Sequence, residues 1–151
     1  YKNTGNGVYV GLALTAGKTV EPGKFTSISL ADLDQDGDLD YVVNNIYDPA
    51  FVFENTLNQQ AEKPNFLRVA LQGKKENPTG LGAKVLLKMG DDQMLYQEMQ
   101  TVRGYMSSIE PVLHFGLDSV STVEEVRVIW PDGQASDWVQ AAPGAAITLN
   151  R

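Results

Sequence analysis

"FTSISLADLDQDGDLDYVVNN", residues Phe25 to Asn45, places five aspartates at alternate positions from Asp32 to Asp40, with one glycine, Gly37, among them. Before the aspartates, Ile28 and Leu30 share one face of a period-two pattern; after them, "YVVNN" is a short β-branched run. Alternation of this kind predicts a strand on each side of a loop. Carboxylates this close repel one another, so the folded loop needs either water on every side or a cation in the middle.

The spacing favours the cation. Counted from Asp32, D-L-D-Q-D-G-D-L-D carries side-chain oxygens at positions one, three, five and nine and glycine at position six, the layout in which alternate residues turn inward around calcium and glycine permits the sharp bend. Asp32, Asp34, Asp36 and Asp40 are expected to supply carboxylates. Asp38, at position seven, is expected to supply its backbone carbonyl, with its own carboxylate facing water. An EF-hand is excluded, because position twelve is Val43 rather than glutamate and the flanks are strands rather than helices. The competing reading is a solvated acidic hairpin, but a turn needs only one or two such residues. Calcium is preferred to magnesium because a flexible all-oxygen cage suits the larger ion, whereas magnesium retains several waters.

Working outward, "FVFEN" follows as a further short strand after Asp48 and Pro49. The polar stretch "TLNQQAEKPN", Thr56 to Asn65, has little to bury and reads as a linker or a short capping helix, dividing the chain into units 1–62 and 63–151. Beyond it, alternation recurs at Leu67, Val69 and Leu71, at Ala83, Val85, Leu87 and Met89, in "MLYQEMQTV", at Val126, Val128 and Trp130, and in "AAITL". These predict at least five more strands. Gly90-Asp91-Asp92 and Pro131-Asp132-Gly133 sit where tight hairpin turns belong. Ser121 with Glu124 matches a capping box, but the alternation of "VEEVRVIW" favours a strand. The fold class is all-β throughout.

Composition limits the function. The 151 residues include 42% apolar side chains, enough for a core, and the formal charge of −7 opposes any phosphate-backbone partner. Nucleic acid is therefore not expected. No apolar run reaches the roughly 18 to 20 residues that span a bilayer, so membrane insertion is not expected either. Cysteine is absent, which removes disulfides, thiol catalysis and cysteine metal sites together.

"FTSISLADLDQDGDLDYVVNN" resembles an FG-GAP or VCBS-type repeat, the calcium-loop blade of integrin-like β-propellers, and "YKNTGNGVYV" resembles the closing strand region of a preceding blade. The resemblance implies a fragment of a larger multi-repeat protein, because a single blade gains its core only from stacked neighbours. A second resemblance covers residues 65–151. "NFLRVALQGKKENPTGLGAKVLLKMGDDQ", "VRGYMSS", "HFGLD" and "VEEVRVIWPDG", in that order, are similar to the ASPIC/UnbV domain. Two positions depart from that pattern, Pro78 and Asp118. Together the resemblances imply a partial β-propeller-type blade packed with a β-sandwich-like domain.

The remaining chemistry-bearing residues read structurally. Gly80, Gly82 and Lys84 are not a phosphate loop, since the spacing is wrong and a strand follows, so the glycines are expected in turns and close packing. His114, the single histidine, has Ser107, Ser108, Glu110 and Asp118 near it in sequence, but no G-x-S-x-G elbow supports a hydrolase, and a hydrogen-bonded structural role is expected. Gly104 is expected at positive φ and Tyr105 as a core-closing aromatic, with Arg103 a weak candidate for an acidic partner. Trp130 reads as a core or rim aromatic, and Trp138 as the exposed one.

The resulting expectation is a non-enzymatic extracellular calcium-binding module serving adhesion, matrix or protein-assembly interactions, with a protein or glycan partner. Its rivals are a carbohydrate-binding module stacking sugars on Trp138 or Tyr105 and, further off, a glycan-directed hydrolase with paired carboxylates.

Overall fold

The structure, a computed structural model, describes residues 2–3, 9–10, 25–59, 63–90, 93–119 and 122–151. It is all-β, and a single 3-10 turn, Leu57–Gln59, is the one helical element among the described residues. Among those residues no helix is long and apolar enough to cross a membrane.

At the amino terminus β1 (Lys2–Asn3) pairs antiparallel with β2 (Tyr9–Val10). Next, β3 (Phe25–Ala31), β4 (Asp40–Asn45) and β5 (Phe51–Phe53) form a three-stranded antiparallel meander in the order β3-β4-β5. Ala31 pairs with Asp40, so the aspartate run is the loop that closes the first hairpin. Aromatic packing reinforces the second: Tyr41 stacks on Phe53 at 4.7 Å between centroids.

The remaining strands form two three-stranded sheets. One is β10 (Val123–Ile129), β7 (Lys84–Met89) and β8 (Met94–Glu98), all antiparallel. The other is β11 (Ala145–Asn150), β6 (Asn65–Gln72) and β9 (Val112–Asp118), in which β11 runs parallel to β6. Alternation alone identifies strands but not their partners, and this parallel pairing is a tertiary outcome.

The two sheets share one core. Leu67, Val69 and Leu71 of β6, Val85, Leu87 and Met89 of β7, Leu113, Phe115 and Leu117 of β9, and Val126 and Val128 of β10 are all buried within it, together with Met99 and Trp130. This is a sandwich: the inward residues of each strand meet those of the facing sheet. Trp130 is thus a core residue. Gly80 lies beneath it at φ 67°, and a Cβ there would come within 2.9 Å of Leu71 Cδ1 and 3.2 Å of Trp130 Cζ3, so close packing and backbone conformation both require glycine. Pro131-Asp132-Gly133 makes the expected turn, with Gly133 N donating to Trp130 O at 2.8 Å. The expected turn at Gly90-Asp91-Asp92 lies partly outside the described residues, but Met89 N donates to Gln93 O across it.

Two aromatic expectations are corrected. Tyr105 is 73% exposed in a turn bridged by Val102 and Ser108, so it does not close the core; Phe115 and Met99 are buried in the core instead. Trp138 is half-buried, with the Arg127 guanidinium 4.6 Å over its ring, so one face of the supposed sugar platform is covered.

Candidate metal site

The loop between β3 and β4 is organised by its own carboxylates. Asp34 Oδ1 accepts from Asp36 N at 3.2 Å and Asp36 Oδ1 accepts from Asp38 N at 3.1 Å, two successive side-chain-to-backbone turns that coil the segment. Gln35 at φ 63° and Gly37 at φ 96° supply the left-handed bends between them. Asp40 staples the base, accepting from Leu33 N at 3.0 Å through Oδ2 and from Asn55 N at 2.8 Å through Oδ1. Asp32 Oδ2 accepts from Gly37 N at 3.2 Å.

The result brings carboxylate oxygens of Asp32, Asp34 and Asp36 within 4.8 Å of one another. Asp38 and Asp40 lie outside that trio. Asp38 also departs from expectation: it is only 4% exposed, and its carboxylate does not face water. Oδ2 accepts from Asn58 N at 2.9 Å, because the Leu57–Gln59 turn folds back over the loop; Asn58 Nδ2 donates to Asp36 O at 2.7 Å as well. Burial raises the Asp38 pKa above its ordinary 3.8, opposed by the Asn58 hydrogen bond and assisted by the charges of Asp36, Asp40 and Asp34.

Two oxygens stand out. Asp32 Oδ1 and Asp38 Oδ1 are buried without a hydrogen-bond partner. A buried acceptor left unpaired costs about 1–3 kcal/mol, and more when it carries charge. The donor set is all oxygen, clustered and partly desolvated, which fits a hard divalent cation.

The sandwich reaches into this loop. Leu67, Val69 and Leu71 point into the core, so Phe66 and Arg68 project from the opposite face of β6. The Phe66 ring sits against Gly37, whose Cβ, were there one, would lie 1.9 Å from Phe66 Cε1. Arg68 Nη1 pairs with Asp32 Oδ2 at 3.0 Å, while its Nη2 reaches both oxygens of Glu110 at 3.1 and 3.2 Å. Asn55, Asn58, Phe66 and Arg68 were not singled out from the sequence, and Glu110 was named only as a neighbour of His114. The available signal was an aromatic and an arginine on the face of "NFLRVALQ" opposite Leu67, Val69 and Leu71.

His114 pairs in register with Arg68 and stacks on Phe66 at 5.8 Å, with its Nδ1 buried and unpartnered. Ser107 Oγ donates to Tyr105 O at 3.1 Å. Burial lowers the His114 pKa below 6.5; the Asp32 charge opposes this, and Arg68 adds to it. A histidine with a depressed folded-state pKa contributes stability that is present above 6.5 and is lost as pH falls through that value, where the unfolded chain takes up the proton first. Calcium-free thermal midpoints should therefore fall between pH 7.5 and 5.5. His114→Gln should flatten that segment of the profile, and an unchanged slope would refute the assignment.

Residues 73–151 match the family model described as ASPIC and UnbV. Cartilage acidic protein 1 of Xenopus tropicalis is 35% identical over 127 residues, covering 80% of this chain and 18% of the relative. The proteins of the same name from Mus musculus and Homo sapiens are each 34% identical over 127 residues, covering 80% of this chain and 19% and 18% of theirs. An alignment covering 80% of the chain extends beyond residues 73–151 into the aspartate-loop half. The chain spans about a fifth of the length of the curated relatives it matches.

Proposed function

The chain belongs to the ASPIC and UnbV family, and from that premise we propose that it is a non-enzymatic extracellular module in which a calcium-binding FG-GAP or VCBS-type blade is joined to the sandwich and serves adhesion or assembly of a larger protein. The observation that carries the calcium reading is the pair of buried, partnerless carboxylate oxygens, Asp32 Oδ1 and Asp38 Oδ1, beside a trio of converging aspartates. The extracellular reading draws support from relatives named for cartilage.

A bound cation would supply positive charge to a cluster that otherwise repels itself. Asp32, Asp34 and Asp36 would hold it, with Asp38 contributing its backbone carbonyl or its free Oδ1. Asp40 accepts one backbone N–H at each oxygen, which fixes the hairpin base and leaves each oxygen a second lone pair to offer a cation. Affinity in the range of about 10⁻⁴ to 10⁻³ M is characteristic of extracellular modules and matches a loop held largely by its own turns.

At ten times the dissociation constant, mass action adds about 1.4 kcal/mol of stability. Millimolar calcium should therefore raise the thermal midpoint relative to excess chelator, magnesium should do so less, and an Asp34→Asn, Asp36→Asn double variant should not respond. No shift in any condition, with a silent calorimetric titration, would show the loop to be an empty acidic turn.

A further inference from the structure

Asp32 has one carboxylate oxygen engaged and one free. Its side chain is wholly buried, and Oδ2 is held from two directions, by Gly37 N within the loop and by Arg68 Nη1 from the neighbouring sheet. With Oδ2 held by two donors the orientation of the carboxylate is fixed, and Oδ1 is the oxygen that has no hydrogen-bond partner. We propose that Arg68, held by Glu110, is a positioning residue for the cation loop, so that the metal site is completed across the junction by the sandwich. The inference rests on the calcium reading above.

The sign follows from Glu110. An arginine near a divalent cation repels it, which by itself would weaken binding. Here the other arm of the guanidinium meets both oxygens of Glu110, so the Arg68–Glu110 pair is close to neutral. Its repulsion is largely offset, while its hold on Asp32 remains. Phe66 acts at the next peptide: its ring, stacked on His114, fills the space over Gly37, whose N–H is the second donor to Asp32 Oδ2. Groups that orient metal ligands from behind govern affinity without touching the metal. By reciprocity, whatever free energy the docked sandwich adds to cation binding, cation binding adds to docking.

Calcium titration of the full chain by calorimetry, paired with thermal midpoints in chelator, tests this. Arg68→Met should weaken the dissociation constant roughly ten-fold, and Glu110→Gln, which leaves the arginine charge unbalanced, should weaken it in the same direction. Calcium should slow amide hydrogen exchange over Asn55–Asn58 in the wild type and do so less in Arg68→Met. A purely structural arginine would lower the chelator midpoint with calcium affinity unchanged, and one that merely competes with calcium would give tighter binding when removed. Either result overturns the inference while leaving the calcium reading standing; a wild type that binds no calcium removes both. Should Arg68→Met fail to fold, Arg68→Lys, which keeps the charge but cannot bridge Asp32 and Glu110 with two arms, should still weaken binding, and unchanged or tighter binding there would overturn the inference.

Discussion

Replacing Gly37 by alanine is expected to destabilise the chain by about 2–4 kcal/mol and to weaken calcium binding in the same variant. Two independent costs combine. The residue sits at φ 96°, where a Cβ meets the backbone unfavourably, and that Cβ would fall 1.9 Å from the Phe66 ring. An exposed aromatic could swing aside cheaply, but Phe66 is half-buried and stacked on His114, so the ring and the loop must part. Chemical denaturation with and without calcium separates the effects. A Gly37→Ala, Phe66→Ala double variant should recover part of the calcium affinity by removing the clash, though not the backbone strain. If Gly37→Ala alone unfolds like the wild type, the loop is not seated against β6 in the way described.

Phe115→Ala should cost about 3–5 kcal/mol, within the range for emptying a buried phenylalanine site. Phe115 is 1% exposed and is the largest fully buried side chain of the core shared by the two sheets. Its neighbour His114 points to the opposite face of β9 and packs on Phe66, so a β9 loosened from inside also loses its grip on the loop outside. Urea titrations should show a lower midpoint with little change in slope. A cost below about 1 kcal/mol would mean that the sheets do not share a close-packed core here.

Much of this was readable from the chain. A period-two pattern is local, because successive side chains of a strand must face opposite ways, so Leu67-Val69-Leu71 and Val85-Leu87-Met89 announced both strands and core. The aspartate loop was equally local: its turns are made by side chains two residues from the backbone they bind. Pairing was not. That β11 lies parallel to β6 depends on which edge remains free once the other strands have packed, and no residue in "AAITL" encodes it.

The sequence by itself determined an all-β chain, a glycine bend among five aspartates and which strand residues turn toward a core, since each follows from steric and hydrophobic rules acting over a few neighbouring residues. Only the tertiary structure decided that Asn58 would bury Asp38, that Phe66 would cover Gly37, and that Arg68 would hold Asp32 against Glu110. Those contacts join residues distant along the chain, and their geometry exists only after two independently patterned units have been packed against each other.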